Sequence, residues 1–311
     1  MSYEPSFQKD DLDAFKIGGA YHKLRLRPRS RARFFAATFH FSKGSGTMGT
    51  VLLTGACGGM GRAICAMLLE KGYTVYGLDR KGCTPVDGVC FVECDVTVPA
   101  AIDAAFARIQ AEAGHLDAIV HTAGIYDLDS LLEMDEVRFT RMFEVNFFGV
   151  YRVNRAFAPL LSGSGRIVIT SSELAPLDPL PFTGVYAVTK AALEKYAYSL
   201  RMEVGLLGIS VSVIRPGAVK TGLLGDSTRA LDRFCETTQL YRCNAQRFKK
   251  IVNSVETNNV APEAIANTVC KALTARRPAY VYNVNRNPLL RLLNLLPDRM
   301  QVAIIRAILK P

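Results

Sequence analysis

The sequence predicts a doubly wound α/β fold: three layers, with helices on both faces of a mainly parallel sheet. Short apolar runs alternate with helical periodicity from about residue 50 to residue 283. The runs are nearly continuously apolar, as strands are when helices cover both their faces. The first run ends in a glycine cluster that opens the first helix. Strand followed by helix implies right-handed crossovers, and repeated crossovers give a parallel sheet.

The elements follow in order. Thr50–Thr54 is the first strand. Residues 59–71 place Ile64, Met67, Leu68 and Leu69 on one side, and Gly72 closes the helix. Residues 74–79 and 89–95 read as the second and third strands, 99–113 as helix and 117–122 as the fourth strand. A long helical stretch covers 136–161, a fifth strand 166–171, a helix 185–207 and a sixth strand 209–215. Residues 222–260 read as an amphipathic lid, 262–275 as helix and 280–283 as a last strand. Residues 288–309 read as two short amphipathic helices broken at Pro297. This order describes a Rossmann-type sheet.

Composition narrows the partners. The 311 residues are 49% hydrophobic and 21% charged, which excludes a disordered chain. The net charge of +10 raises nucleic acid or an anionic membrane as partners. Half of that charge lies in residues 1–47, with nine Lys/Arg against four acids, and no nucleic-acid-binding fold accompanies it. Lys23, Arg25, Arg27, Arg29, Arg31 and Arg33 alternate, so one strand face would carry all six and repel. The head reads as a disordered or non-native extension, with Met48 as the expected native start.

The eight cysteines form no C-x-x-C pair and the four histidines no zinc spacing, so no metal site is expected. Most cysteines sit in apolar runs and read as buried hydrophobes rather than disulfides. No secretory signal and no run of about 18 apolar residues is present. A cytoplasmic protein is expected.

Three constellations carry chemistry. Thr54-Gly55-Ala56-Cys57-Gly58-Gly59-Met60-Gly61 joins the first strand to the first helix. A dinucleotide pyrophosphate needs glycines there, because a Cβ blocks backbone approach, and the helix N-terminus offers free N–H groups. Asp79 ends the second strand, where a carboxylate can accept both ribose hydroxyls of NAD and repel the 2′-phosphate of NADP. Arg80 beside it could hold that phosphate instead or stack on adenine, so NADP stays possible. Tyr186 and Lys190 share a helix face four residues apart. An ammonium beside a phenol is expected to lower the tyrosine pKa and make Tyr186 a general base.

With these residues in place the chain resembles the short-chain dehydrogenase/reductases, in their short single-domain branch, over about residues 50–283. The resemblance rests on Thr54-Gly55, Gly59, Gly61, Asp95-Val96, Ala123-Gly124, Asn146, Ser172, Tyr186, Lys190 and Pro216-Gly217-x-x-x-Thr221. It implies oxidoreductase chemistry: hydride transfer between a nicotinamide cofactor and a secondary alcohol or ketone. Asp95 and Val96 should border the adenine, and Ala123 and Gly124 should line the cofactor. Asn146 should bend its helix and hold a water that relays protons to Lys190. Ser172 should bond the reacting oxygen, with Ser171 as the alternative, and Lys190 should also hold the nicotinamide ribose. Pro216, Gly217, Val219 and Thr221 should fix the carboxamide, and Met60 joins the glycine turn.

Two departures stand out. Thr122 precedes Ala123-Gly124 where the family usually has Asn, and 14 residues separate Ser172 from Tyr186, with Pro176, Pro179 and Pro181 between. Glycines 55, 58 and 61 also fit the sugar-nucleotide epimerase and dehydratase branch, but little chain follows Tyr186 for its larger substrate domain. A dinucleotide-binding regulatory or interaction protein without turnover is the other alternative. Substrate contacts are expected from Tyr126, Glu173, Leu174, Thr183 and the segment 222–260. The leucine-rich tail, with Arg286, Arg291, Arg299 and Arg306, has three readings: docking on the core, a homo-oligomer contact, or a peripheral membrane contact. The expected division is therefore a 1–47 extension, a 48–285 catalytic domain and a 286–311 tail.

Overall fold

The computed structural model describes residues 48–256 and 258–310, so the basic head lies outside the described residues. Seven strands form one sheet: β1 (Thr50–Thr54), β2 (Thr74–Asp79), β3 (Cys90–Glu93), β4 (Leu116–His121), β5 (Leu161–Thr170), β6 (Ser210–Pro216) and β7 (Val281–Val284). Their order is β3-β2-β1-β4-β5-β6-β7, and every pairing is parallel. The chain starts in the middle, runs outward to β3, then returns to β4 beside β1. That reversal opens a crevice at the carboxyl ends of β1 and β4, where ligands of such sheets bind.

Alternation within β1 builds both layers. Val51 and Leu53 join Ile64 and Leu68 of α1 (Gly59–Glu70) and Ile265 and Val269 of α8 (Pro262–Thr274). Leu52 joins Ile102 and Ile109 of α2 (Pro99–Glu112) and Phe157 of α4 (Gly149–Phe157) on the other face. A third cluster packs Ile167, Ile169 and Val211 under Leu193 and Ala197 of α5 (Gly184–Gly205). Leu52, Leu53, Ile64 and Leu68 have no exposed surface, and each such side chain contributes about 1.5–3 kcal/mol. Gly72 ends the turn after α1 at φ 82°, a conformation that costs a residue with a Cβ.

The expected single helix over 136–161 is broken. α3 (Glu136–Phe143) is followed by a π-helical turn, Glu144–Phe148, then by α4 and a short 3-10 turn, Ala158–Leu160. Pro159 has no N–H to continue the ladder, and Leu161 already pairs with Leu116, so β5 begins earlier than expected. The lid segment resolves into α6 (Gly222–Thr237) and α7 (Arg242–Glu256). Glu133 fastens the turn between them: its carboxylate accepts from Thr238 Oγ1 at 2.6 Å and from the amides of Gln239 and Leu240 at 2.7 and 3.1 Å.

The tail forms α9 (Pro288–Leu293) and α10 (Asp298–Leu309) on either side of Pro297. It contacts the core: Gln301 Nε2 donates to Asp178 Oδ2 at 3.1 Å, and Asn244 Nδ2 of α7 donates to the Leu309 carbonyl at 2.9 Å. Leu289, Leu292 and Leu295 nevertheless stay exposed. No helix among the described residues is long and apolar enough to cross a membrane.

One expectation about cysteine is overturned. Cys57 and Cys83 are disulfide-paired, with Cα atoms 6.1 Å apart. Neither lies in an apolar run: Cys57 is in the glycine turn and Cys83 in the loop after β2, and the β1–β2 pairing brings these loops together. Cys65, Cys94 and Cys270 are buried free thiols, as expected. The bridge lies within the one cluster of metal-ligating types among the described residues, Cys57, Asp79 and Cys83, whose ligand atoms lie within 4.8 Å of one another. Bridged sulfurs offer no thiolate to a metal.

Candidate active site

The glycines are required by close approach. Gly55 has φ 74°, and a Cβ there would stand 2.6 Å from the Ala123 amide nitrogen. A Cβ on Gly59 would meet Thr221 Cβ at 2.7 Å, and one on Gly61 would overlap the Gly55 carbonyl oxygen. The turn is thereby pressed against the loop after β4 and the segment after β6. Helix α1 starts with no side-chain cap and no acid in its first turn, which leaves N–H donors open. Asp79 Oδ2 accepts the Cys57 amide and Oδ1 the Arg80 amide, both at 2.8 Å. The Arg80 side chain is exposed.

Thr122 replaces the expected asparagine by donating its hydroxyl to the Thr54 carbonyl at 2.7 Å, while Thr54 Oγ1 accepts the Ala123 amide at 3.3 Å. Asn146 sits inside the π-turn with no exposed surface. Its amide clamps Ile125, accepting its N–H and donating to its carbonyl at 2.9 Å each, and donates to Thr189 Oγ1 at 3.3 Å. A Cβ on Gly124 would lie 3.3 Å from Asn146 Oδ1 and 3.8 Å from Lys190 Nζ, so these three meet. Asp95 instead spends one oxygen on Thr97, accepting its amide and hydroxyl at 2.9 and 2.7 Å. Burial pushes Asp95 up, yet the Thr97 bonds with Arg141 and Arg80 hold it below the ordinary range. Val96 is buried, and a Cβ on Gly149 would meet it at 2.8 Å.

Helix α5 delivers Tyr186 and Lys190, both buried, onto the end of β5. Tyr186 and Ser172 line the same cavity. Lys190 Nζ donates to the Thr170 carbonyl at 3.2 Å and stands 5.7 Å from the Tyr186 ring centroid. The expected lowering of the tyrosine is corrected here. Burial pushes Tyr186 up to about 12, while the Ser172 hydroxyl acts in the opposite direction. Burial also pushes Lys190 down to about 8, against Glu194. The ammonium lies over the ring face, so desolvation of the phenolate prevails.

Two cavities meet at this tyrosine. One, of about 210 Å³, is lined by Gly55, Gly59, Gly61, Gly124, Thr170 and Lys190. The other, of about 220 Å³, is mostly apolar, with Leu174, Leu180, Leu224, Phe248 and Val252. Met60, Ser171, Tyr186, Thr221 and Leu223 line both. The expected substrate positions Tyr126, Glu173, Leu174 and Thr183 all reach the apolar one, as does Leu290 of the tail. Pro216, Gly217 and Val219 line its edge. Gly217 is required by approach, since a Cβ would overlap the Asn285 carbonyl oxygen.

A family model described as short chain dehydrogenase matches residues 49–232. The chain belongs to the short-chain dehydrogenase family. It is therefore an oxidoreductase by family. It is 28% identical over 262 residues to 3-ketodihydrosphingosine reductase of Bacteroides thetaiotaomicron, covering 82% of this chain and 96% of that one. It is 29% identical to estradiol 17-beta-dehydrogenase 2 of Mus musculus, covering 76% and 68%. The crystal structure of a short-chain dehydrogenase from Streptomyces avermitilis superposes with a TM-score of 0.64 at 25% identity, covering 85% and 94%.

The site of this short-chain dehydrogenase fits a dinucleotide on its own atoms. Its glycines leave a cradle that a Cβ would fill, and the buried hydroxyls of Thr170 and Ser171 have no protein partner. Sequence reasoning offered Ser171 only as an alternative to Ser172, and it missed the Thr170 hydroxyl and Phe182. This residue holds φ 68° and packs its ring against Phe234 in a tilted arrangement and against Tyr241 and Phe248 edge to face, with centroids 4.6, 5.2 and 5.3 Å apart. The only local signal is its place before Thr183 and Gly184 at the helix start. Glu173 also does more than expected: it accepts the Asn287 amide at 2.6 Å, tying the strand-five loop to the tail.

Proposed function

We propose that this protein interconverts a lipophilic ketone and its secondary alcohol, using a nicotinamide dinucleotide, with NAD preferred. The observation that carries the reading is Tyr186, which lines the apolar cavity with Ser172 and forms a wall common to that cavity and the glycine-lined one. Bound in the first cavity, the dinucleotide would supply or accept the hydride. Asp79 takes the adenosine ribose hydroxyls, and its charge opposes a 2′-phosphate. Thr54, Gly55, Gly59, Met60 and Gly61 admit the pyrophosphate; Asp95, Val96, Ala123 and Gly124 line the adenosine and ribose path. Val219 and Thr221, with Pro216 and Gly217, orient the nicotinamide end.

In reduction, Tyr186 gives its phenolic proton to the carbonyl oxygen as hydride reaches the carbonyl carbon; oxidation reverses both transfers. A phenol pushed up to about 12 is protonated at neutral pH, which supports Tyr186 as the donor in reduction. Ser172 steadies the reacting oxygen, and Lys190 holds the ribose and links the phenol to the Asn146 region for proton return. The leucines around Phe248 support a lipophilic substrate, as do relatives named for 3-ketodihydrosphingosine and estradiol. Assembly into a homo-oligomer and contact with a membrane surface through 286–311 belong to the same reading; exposed Leu289, Leu292 and Leu295 support them.

The test is a panel of long-chain and steroidal ketones with NADH and with NADPH, read by loss of reduced-cofactor absorbance. Turnover with NADH on apolar ketones is expected. Dinucleotide binding without turnover of any ketone or alcohol would instead support a binding protein.

A further inference from the structure

The Cys57–Cys83 bridge stands where, on the reading above, the adenosine ribose must dock. Cys57 lies between Gly55 and Gly59, and its amide donates to Asp79 Oδ2 at 2.8 Å. Cys83 follows Asp79 by four residues, and both sulfurs lie within 4.8 Å of an Asp79 carboxylate oxygen. The bridge therefore ties the phosphate-cradling turn to the loop after β2, across the carboxylate that reads the ribose. Both cysteines are partly exposed, within reach of a small solute. Cys65, Cys94 and Cys270 are buried, and burial pushes Cys65 up to about 12 and Cys94 up to about 11. Oxidation by a disulfide requires a reachable thiolate, so chemistry concentrates on the first pair rather than on these three.

We propose that Cys57 and Cys83 are a reversible thiol–disulfide site through which a low-molecular-weight disulfide weakens dinucleotide binding. The chemistry balances. One cysteine thiolate attacks the small disulfide and releases one small thiolate. The second cysteine then attacks the mixed disulfide and releases the other. Two cysteine thiols lose two electrons and two protons, and the small disulfide becomes two thiols. As free thiols, the two side chains rotate independently and the loop after β2 can draw back from Asp79. Once joined, they are a fixed block beside the carboxylate. Because binding and oxidation are linked, bound dinucleotide must oppose bridging by the same factor. A protein of hydride transfer would thus take up its cofactor most readily in a reducing environment.

The proposal rests on the dinucleotide reading, and its test separates the two. The full chain is equilibrated with reduced glutathione or with glutathione disulfide, excess reagent is removed, and NADH is titrated by fluorescence. Free thiols are alkylated and peptides mapped by mass in parallel. The oxidised protein is expected to carry the 57–83 bridge and bind NADH about tenfold more weakly, within the usual range of coupling on one protein. The double variant Cys57→Ser/Cys83→Ser, which can form neither the bridge nor a mixed disulfide there, is expected to bind equally in both states. Equal affinity of bridged and reduced wild type would overturn the proposal, as would unpaired Cys57 and Cys83 in glutathione disulfide. Reduced protein that binds no NADH would overturn the dinucleotide reading itself, and this proposal with it.

Discussion

The glycine-lined cavity and the apolar cavity share Tyr186 as a wall, yet they are held by different means. The first is held by exclusion: Gly55, Gly59 and Gly61 let main chain touch main chain or Thr221, and no side chain could take their place. The second is held by side chains distant in sequence. Phe182 gathers α6 and α7 through Phe234, Tyr241 and Phe248. Asp127 is gripped by Arg138 of α3, at 3.0 and 2.9 Å from Nε and Nη2, and by Arg233 of α6. Arg138 also reaches Asp129 at 2.5 Å. A surface of backbone contacts tolerates almost no substitution, whereas aromatic and ionic contacts can be retuned. On the proposed reading, the two cavities thus divide a fixed cofactor from a variable substrate.

That division can be broken from the glycine side first, with the largest effect. In Gly61→Ala the new Cβ overlaps the Gly55 carbonyl, and overpacking costs about 1–3 kcal/mol or more. NADH affinity is expected to fall by roughly a hundredfold with helix content retained, because that strain falls on the turn itself. Calorimetry and circular dichroism would measure both; unchanged NADH affinity would mean the turn is not the dinucleotide seat.

The opposite intervention is Phe182→Ala. Removing a buried aromatic costs about 3–5 kcal/mol, and the half-buried Phe182 falls toward the lower end. KM for an apolar ketone is expected to rise while the NADH dissociation constant stays put. Phe182→Gly should be more stable to urea than Phe182→Ala, since glycine accepts φ 68° freely. Parallel losses in ketone and NADH binding would contradict a division between the cavities.

The difference between the regions also decides what was legible. The glycine turn, Asp79 and the Tyr186–Lys190 pair come from short-range spacing, where one residue type answers one local constraint; the bend at Asn146 is implied only by the family resemblance, and spacing alone suggests one unbroken helix. The seven parallel strands follow from the same repeated strand–helix unit. The split of 222–260 at Thr238, the aromatic gathering at Phe182 and the bridge from Cys57 to Cys83 depend on partners 26 to 107 residues apart. No local period records such pairings. The tyrosine pKa was misjudged for a related reason: burial of Tyr186 belongs to the whole packing, and it outweighs a lysine four positions away.

The smallest effect expected at neutral pH concerns the end of β4, just before the Thr122–Gly124 loop of the glycine-lined cavity. His121 is buried at the end of β4, its Nε2 is 2.8 Å from Asn154 Oδ1, and burial pushes it down to about 4. Between the ordinary value of 6.5 and about 4 the unfolded chain binds more protons than the native one, so stability falls as pH falls through that window. His121→Gln should match wild type in slope above this window and lose stability less steeply within it, as read by melting temperature against pH. Identical slopes throughout would show that His121 is not held neutral.

The central claim is that Tyr186 moves the proton where the two cavities meet. It is tested most directly by Tyr186→Phe, assayed with NADH and a ketone identified on wild type, alongside an NADH titration. The account predicts that turnover drops at least about a hundredfold, the scale of a lost general acid, while NADH affinity stays near wild type. Turnover within a few-fold of wild type would contradict it.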